Sequence, residues 1–339
     1  VRGHQCAQRR QQVRLVALGL AAAGLAAPAL VAAQALKPVN LMAPCPAGGL
    51  SDAIARVVER PLAKALGQMV IVENLGGAGG SLGAQKVLGA PADGSYLYQG
   101  SPNELILTSM VLPTVRYKAE DFRFVQMIGT FPLAVLARKG LPAANVDELV
   151  ALARRQAAAG KPLTYGSVGV GSLYHVIGAH FAQVIGAEMT HVPYKGMAPL
   201  LTDLGGDQVD VSFLVVGDST IALADQGRLE VLATLAPKGQ VEAEFLRRYP
   251  SINDSASIKD FAFNTWTGYF VRKDTPEPVV EALHKALSAT MADPEVRAQL
   301  EKIGGRVPAP LSLAQAAQEY QAQTARLRAI ATSIKLEAQ

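Results

Sequence analysis

Residues 39–66 read Val-Asn-Leu-Met-Ala, then Pro-Cys-Pro-Ala-Gly-Gly-Leu, then Ser-Asp-Ala-Ile-Ala-Arg-Val-Val-Glu-Arg-Pro-Leu-Ala-Lys-Ala-Leu. The opening run, Val39 to Ala43, is apolar and short enough for a buried strand, and the prolines and glycines of 44–49 interrupt any regular element. From Ser51 onward, Ile54, Val58, Leu62 and Leu66 recur every four residues, which places them on one face of a helix. Pro61 falls inside that pattern and predicts a kink or an end to the helix's first part. A strand, a glycine-containing turn and a helix in this order form the opening unit of a parallel sheet covered by helices.

The same alternation continues along the chain. Met69 to Glu73 and Tyr96 to Gln99 read as further strands with a helix over Gly80 to Leu88 between them, a small doubly wound lobe. A second set follows the strand-like Pro132 to Ala137. Asn145 with Glu148 three residues later predicts a capped helix start, and strands near 163–165, 189–192, 209–215 and 229–235 alternate with helices near 172–184, 198–204 and after Asp218. Thr265 to Val271 is again strand-like, and helices follow from Thr275-Pro276, from Asp293-Pro294 and over Leu313 to Ile334. This order predicts an α/β protein of two doubly wound lobes. If the strand at 132–137 leaves the first lobe and that at 265–271 returns to it, the two form a hinge. The lobes then comprise 36–136 plus 265–339, with the C-terminal helices packed on the first lobe, and 137–264.

Composition supports a globular reading and removes some functions. Half of the 339 residues are apolar and 18% are charged, so a large core is available. Arg2, Arg9, Arg10 and Arg14 stand in residues 1–35 without an acid, a net of +4 that equals the whole chain's +4. The remainder is formally neutral, which argues against a nucleic-acid backbone as partner. Arginines, the apolar run Leu15 to Val31 and Ala33-Gln34-Ala35 form the three parts of a secretory signal, predicted to be removed near Leu36. The run is shorter than the ~20 residues of a spanning anchor, and Arg9-Arg10 leaves a twin-arginine route open. Periplasmic export follows. Cys6 lies in that leader, so Cys45 would remain as a lone cysteine with no disulfide partner.

Glycine-containing turns lead directly into helices at Pro46–Asp52, Gly76–Ser81 and Gly166–Ser172, with a weaker version at Gly217–Thr220. Helix starts carry unpaired N–H groups and partial positive charge, so such turns hold anionic oxygens, although they also serve as ordinary caps. Dinucleotide binding fails on spacing, since Leu82 and Tyr174 stand where the third glycine of G-x-G-x-x-G belongs. G-x-S-x-G is absent, and His175 and His180 lie five apart, which is not metal-ligand spacing on one helix face. No catalytic group, metal or cofactor is expected. His175 either donates to a ligand or serves the fold, Tyr194-Lys195 offers a hydroxyl and an ammonium, and Trp266 reads as core.

Taken together, Pro44–Asp52, Val72-Glu73-Asn74 with Gly77–Gly80, Pro91-Ala92-Asp93-Gly94 and His191–Gly196 resemble the Bug-type periplasmic solute receptors of tripartite tricarboxylate transporters, in order over about residues 38–305. The resemblance implies a type II periplasmic binding protein whose lobes close on a small carboxylate (an amino acid, a dicarboxylate or an aromatic acid) and deliver it, as a monomer, to membrane permease subunits. Carried over, the ligand lies between Ala47, Gly48, Gly49, Ser51 and Asp52 of one lobe and Ser167, Gly171 and Ser172 of the other. Ser101, Asn103 and Asp218 are placed nearby by the same resemblance, and His175 by its position three residues after the second turn. Cys45 and Glu104 depart from the family pattern, which has an aromatic residue and a neutral hydroxyl there, and a carboxylate in the cleft disfavours a second ligand carboxylate. An α/β enzyme acting on a small acid, or a ligand-bound trigger of a membrane sensor, are the rival readings.

Overall fold

A computed structural model describes residues 37–241 and 244–334, apart from the side chains of Asp218 and Ser219; the expected leader lies outside the described residues. Strand β1 (Val39–Ala43) pairs in parallel with β2 (Val70–Asn74) on one side and β3 (Tyr96–Gly100) on the other. Helix α1 (Leu50–Leu66) joins the first two, and α2 (Ser81–Gly89) leads to the third. Ile54, Val58 and Leu62 of α1 are buried as their spacing requires. Pro61 does not end the helix. The turn runs on to Gly67, whose left-handed conformation lets its N–H reach the Ala63 carbonyl.

After β3 the chain makes one π-helical turn (Asn103–Leu107) and a short helix α3 (Thr108–Val111), then enters β4 (Phe122–Arg138). Only its last third was legible as a strand. Phe122 to Pro132 pairs antiparallel with β9 (Asn264–Arg272), which in turn pairs with β3. Beyond Pro132 the partners change: Leu133 to Ala137 pairs with β7 (Val211–Val215), and Ala134 to Arg138 with β8 (Leu229–Thr234). Proline has no N–H to offer a ladder, so the change of partner falls where pairing is cheapest to interrupt. β5 (Thr164–Ser167) pairs in parallel with β7 and with β6 (Thr190–Pro193), giving the order β2-β1-β3-β9-β4-β7-β5-β6 with β8 beside β4.

Helices α4 (Val146–Ala158), α5 (Leu173–Ile185), α6 (Met197–Gly205) and α7 (Asp218–Asp225) cover the second half of this sheet. Asn145 caps α4 as expected, its side chain accepting from the Glu148 N–H at 2.9 Å, while Glu148 answers at the Ala144 N–H at 2.8 Å. Helices α8 (Glu277–Ala292) and α9 (Pro294–Lys302) pack on α1. The last, α10 (Leu313–Ser333), packs on β4 and bonds both halves: Tyr320 donates to the Ala119 carbonyl at 2.9 Å, and the Gln183 side chain of α5 donates to the Ser333 carbonyl at 3.1 Å. Among the described residues no helix is long and apolar enough to cross a membrane.

Candidate functional site

A cavity of about 760 Å³ opens where the C-terminal ends of β1, β3 and β6 and the loop after β5 converge. From the first half come Pro44 to Pro46, the α1 start at Leu50 and Ser51, Gly77 to Gly80, Gln99, Ser101, Asn103 and Glu104; from the second come Val168, Leu173, Tyr174 and Tyr194 to Met197. β9 supplies Thr265 and Thr267. Leu50 and Ser51 begin a helix, so their N–H groups have no carbonyl one turn behind them. Gly77, Ala78, Gly79 and Gly80 all have positive φ, and for Ala78, at φ 47, that costs about 1–2 kcal/mol. Within this run Gly80 donates its N–H to the Gly77 carbonyl at 3.0 Å, so the amides it can offer an anion are those of Gly77, Ala78 and Gly79.

Of the expected ligand residues, Ser51, Ser101 and Asn103 lie on the cavity wall. Asn103 also joins the two halves, its side-chain oxygen accepting the Leu173 N–H of α5 at 3.1 Å. Ala47, Gly48 and Gly49 are off the wall, and two of their amides are used within the turn: Gly48 donates to Asp52 Oδ2 at 2.8 Å and Gly49 to the Pro46 carbonyl at 3.2 Å. Asp52 is 5% exposed and pairs with Arg56 at 3.0 Å. The Gly48 N–H, against the cost of burial, and then Arg56 hold its carboxyl below the usual range, so it locks the turn.

The second turn is likewise closed on itself. Gly171 donates to His175 Nδ1 at 3.0 Å, Ser172 donates through Oγ to the Gly169 carbonyl at 2.8 Å and caps α5, and Ser167 is wholly buried. These residues stand one layer behind Val168, Leu173 and Tyr174, which form the wall. The Asp218 side chain lies outside the described residues. Among the described residues no group of three or more His, Cys, Asp or Glu could hold a metal ion.

The model of the tripartite tricarboxylate transporter family receptor matches residues 54–336. This chain belongs to that family. An Agrobacterium vitis relative, the UPF0065 protein in the TAR-I ttuE-ttuC' intergenic region, is 34% identical over 86% of this chain and 82% of its own length. Among solved structures, the R. palustris protein Rpa4515 with adipate superposes with a TM-score of 0.78 at 27% identity, covering 89% of this chain and 98% of its own. The periplasmic binding protein BugD gives 0.73 at 27% identity, covering 89% and 99%. The expected Bug-type, two-lobed fold is thereby shown for this receptor, and its family and neighbours are solute-binding proteins.

Several wall residues of the receptor escaped the sequence reading. Thr265 and Thr267 flank Trp266, which is 1% exposed and stacked on Phe124 at 5.3 Å, so alternation alone turns the two hydroxyls to the opposite face. That parity was available once Trp266 was read as core. Gly77 to Gly80, legible in the sequence only as a turn, also lie on the wall. Cys45 lines the cavity, where burial pushes its thiol pKa up.

Behind the wall, His175 and His191 stack with ring centroids 3.8 Å apart, and His191 Nε2 lies 2.7 Å from Ser167 Oγ. Burial pushes each imidazole down to about 4, and for His191 the neighbouring His175 adds to the effect. In the unfolded chain both titrate near 6.5. Between pH 6.5 and 4 the unfolded chain therefore binds more protons, so this contribution to stability is complete above 6.5 and is lost as pH falls towards 4. Urea unfolding at pH 7.5 and 5 should show the receptor weaker at pH 5, and His191→Phe should reduce that difference. An equal loss in both chains would remove the histidines as its cause.

Proposed function

We propose that this receptor captures a small organic acid in the shared cavity, outside the cytoplasm, and delivers it as a monomer to the membrane subunits of its transporter. The observation that carries the reading is that one cavity of about 760 Å³ receives the α1 helix start and the left-handed Gly77–Gly80 run from one half of the sheet and Lys195 from the other. Backbone N–H groups solvate a carboxylate without any arginine, and the ammonium adds charge from the opposite side. Ser51, Ser101 and Asn103 contribute side chains to this site, whereas Ala47, Gly48, Gly49, Asp52, Ser167, Gly171, Ser172 and His175 shape it from behind. That Rpa4515 was solved with adipate supports the carboxylate class.

Residues 36–136 plus 265–339 are proposed as one lobe and 137–264 as the other. The change of partners after Pro132 and the start of β9 opposite it support a two-strand hinge there. Export by residues 1–35 into the periplasm fits the family and BugD. Among the described residues the Ser167–His191 pair is the arrangement that favours an enzyme instead, but Ser167 is wholly buried and no carboxylate bonds His191 there. Calorimetric titration with short mono- and dicarboxylic acids, coupled to small-angle scattering, tests the reading. Saturable binding with a fall in radius of gyration is expected and no turnover; failure of every acid to bind would sink it.

A further inference from the structure

Among the described residues the cavity wall carries two charged side chains, Glu104 and Lys195, of opposite sign. Together they add no net positive charge to hold a dicarboxylate. Lys195 is exposed, whereas Glu104 is half-buried and held in place. At the start of the π-helical turn Glu104 folds back on Ser101: the Ser101 N–H donates to Glu104 Oε2 at 2.9 Å and the Ser101 hydroxyl donates to the same oxygen. Oε1 receives only the Asn103 side-chain amide at 3.5 Å, a weak contact. The stem packs against Gly80, where even a methyl group would collide with Cγ. None of the ion pairs among the described residues includes Glu104. Burial pushes its carboxyl above the ordinary range, against the bonds from Ser101. A carboxylate half-withdrawn from water with no cation beside it is unfavourable unless a proton or a bound cation compensates it.

We infer that Glu104 reads charge in this cavity, and that the acid captured here carries, besides its carboxylate, a protonated amine that pairs with Glu104. The inference rests on the carboxylate reading above and narrows it to zwitterions. An ammonium gains a charge-assisted hydrogen bond at Oε1, while a second ligand carboxylate meets a like charge in a low-dielectric site.

The test titrates the full chain at pH 7.5 by calorimetry with 4-aminobutyrate, 6-aminohexanoate and norleucine, against butyrate, hexanoate, succinate and adipate. At least one amine-bearing acid should bind about tenfold tighter than both the plain acid and the dicarboxylate of its length. Glu104→Gln keeps an oxygen that can accept from the Ser101 N–H and hydroxyl, and should bring that ratio close to one. A dicarboxylate bound as tightly as its amino counterpart, or a preference that survives in the variant, overturns the inference and leaves the carboxylate reading standing. If no acid binds, both fall. Should the variant lose cooperative unfolding, the Glu104 carboxyl is titrated by carbon NMR in the native chain with and without 6-aminohexanoate. Pairing lowers its midpoint, and an unmoved midpoint overturns the inference.

Discussion

Phe124→Ala is expected to lower the free energy of unfolding by about 3–5 kcal/mol. Phe124 is 2% exposed and stands directly opposite Phe270 in the β4–β9 ladder, with ring centroids 4.6 Å apart. Trp266 stacks on it at 5.3 Å, and Tyr320 of α10 meets it edge-on at 6.0 Å. Across the ladder, Gly268 leaves the space the ring fills, since a Cβ there would lie 2.7 Å from Phe124 Cζ. Truncation removes the transfer free energy of the ring and leaves a void that two paired strands and a helix cannot close. Because Trp266 is the chain's one tryptophan, its emission reports this same cluster. Urea denaturation should show a lower midpoint with an unchanged slope. A loss below about 1 kcal/mol would mean the surroundings collapse into the space, and that β4, β9 and α10 are less tightly held than their packing indicates.

That cluster also shows which parts of the structure were legible in residue order. Helix α1 could be read because its burial is one-sided, so Ile54, Val58 and Leu62 stand out against charged neighbours. The first two thirds of β4 could not, because Phe124, Val125, Met127 and Ile128 are buried on both faces and leave no alternation to detect. The site divides in the same way. Glycine turns at strand ends were visible, and the cavity lies among them, but the use of the Gly48 amide by Asp52, and of the Gly171 amide by His175, depends on side-chain positions that no spacing specifies. Conversely, the capping pattern Ser101-x-x-Glu104 was present in plain sight. Its consequence, a carboxylate fixed on the wall of the cavity, appears only when Gly80 and Glu104 are brought together in space.

That meeting sets the second large effect, Gly80→Ala, for which a loss of about 2–5 kcal/mol is expected together with ligand affinity. Gly80 has φ 86, a conformation that costs a side-chain-bearing residue about 1–2 kcal/mol. A Cβ there would also lie 3.1 Å from Pro44 Cβ and far inside contact with Glu104 Cγ, adding an overpacking cost of about 1–3 kcal/mol. Relief requires moving Glu104, which is bonded to the Ser101 N–H and to the Asn103 side chain and so disturbs both. Asn103 holds the Leu173 N–H across the cavity, so the displacement reaches the contact between the two halves of the sheet. Gly67→Ala is the control, because Gly67 has φ 66 and nothing within 4 Å of the added carbon. It isolates the backbone cost, about 1 kcal/mol, from the collision. The decisive comparison is therefore between the two variants, by urea denaturation and by calorimetry with whichever acid the native chain binds. If Gly80→Ala unfolds no more easily than Gly67→Ala and binds as the native chain does, the wall at Gly80 and Glu104 is not held in place, and neither variant has touched the site.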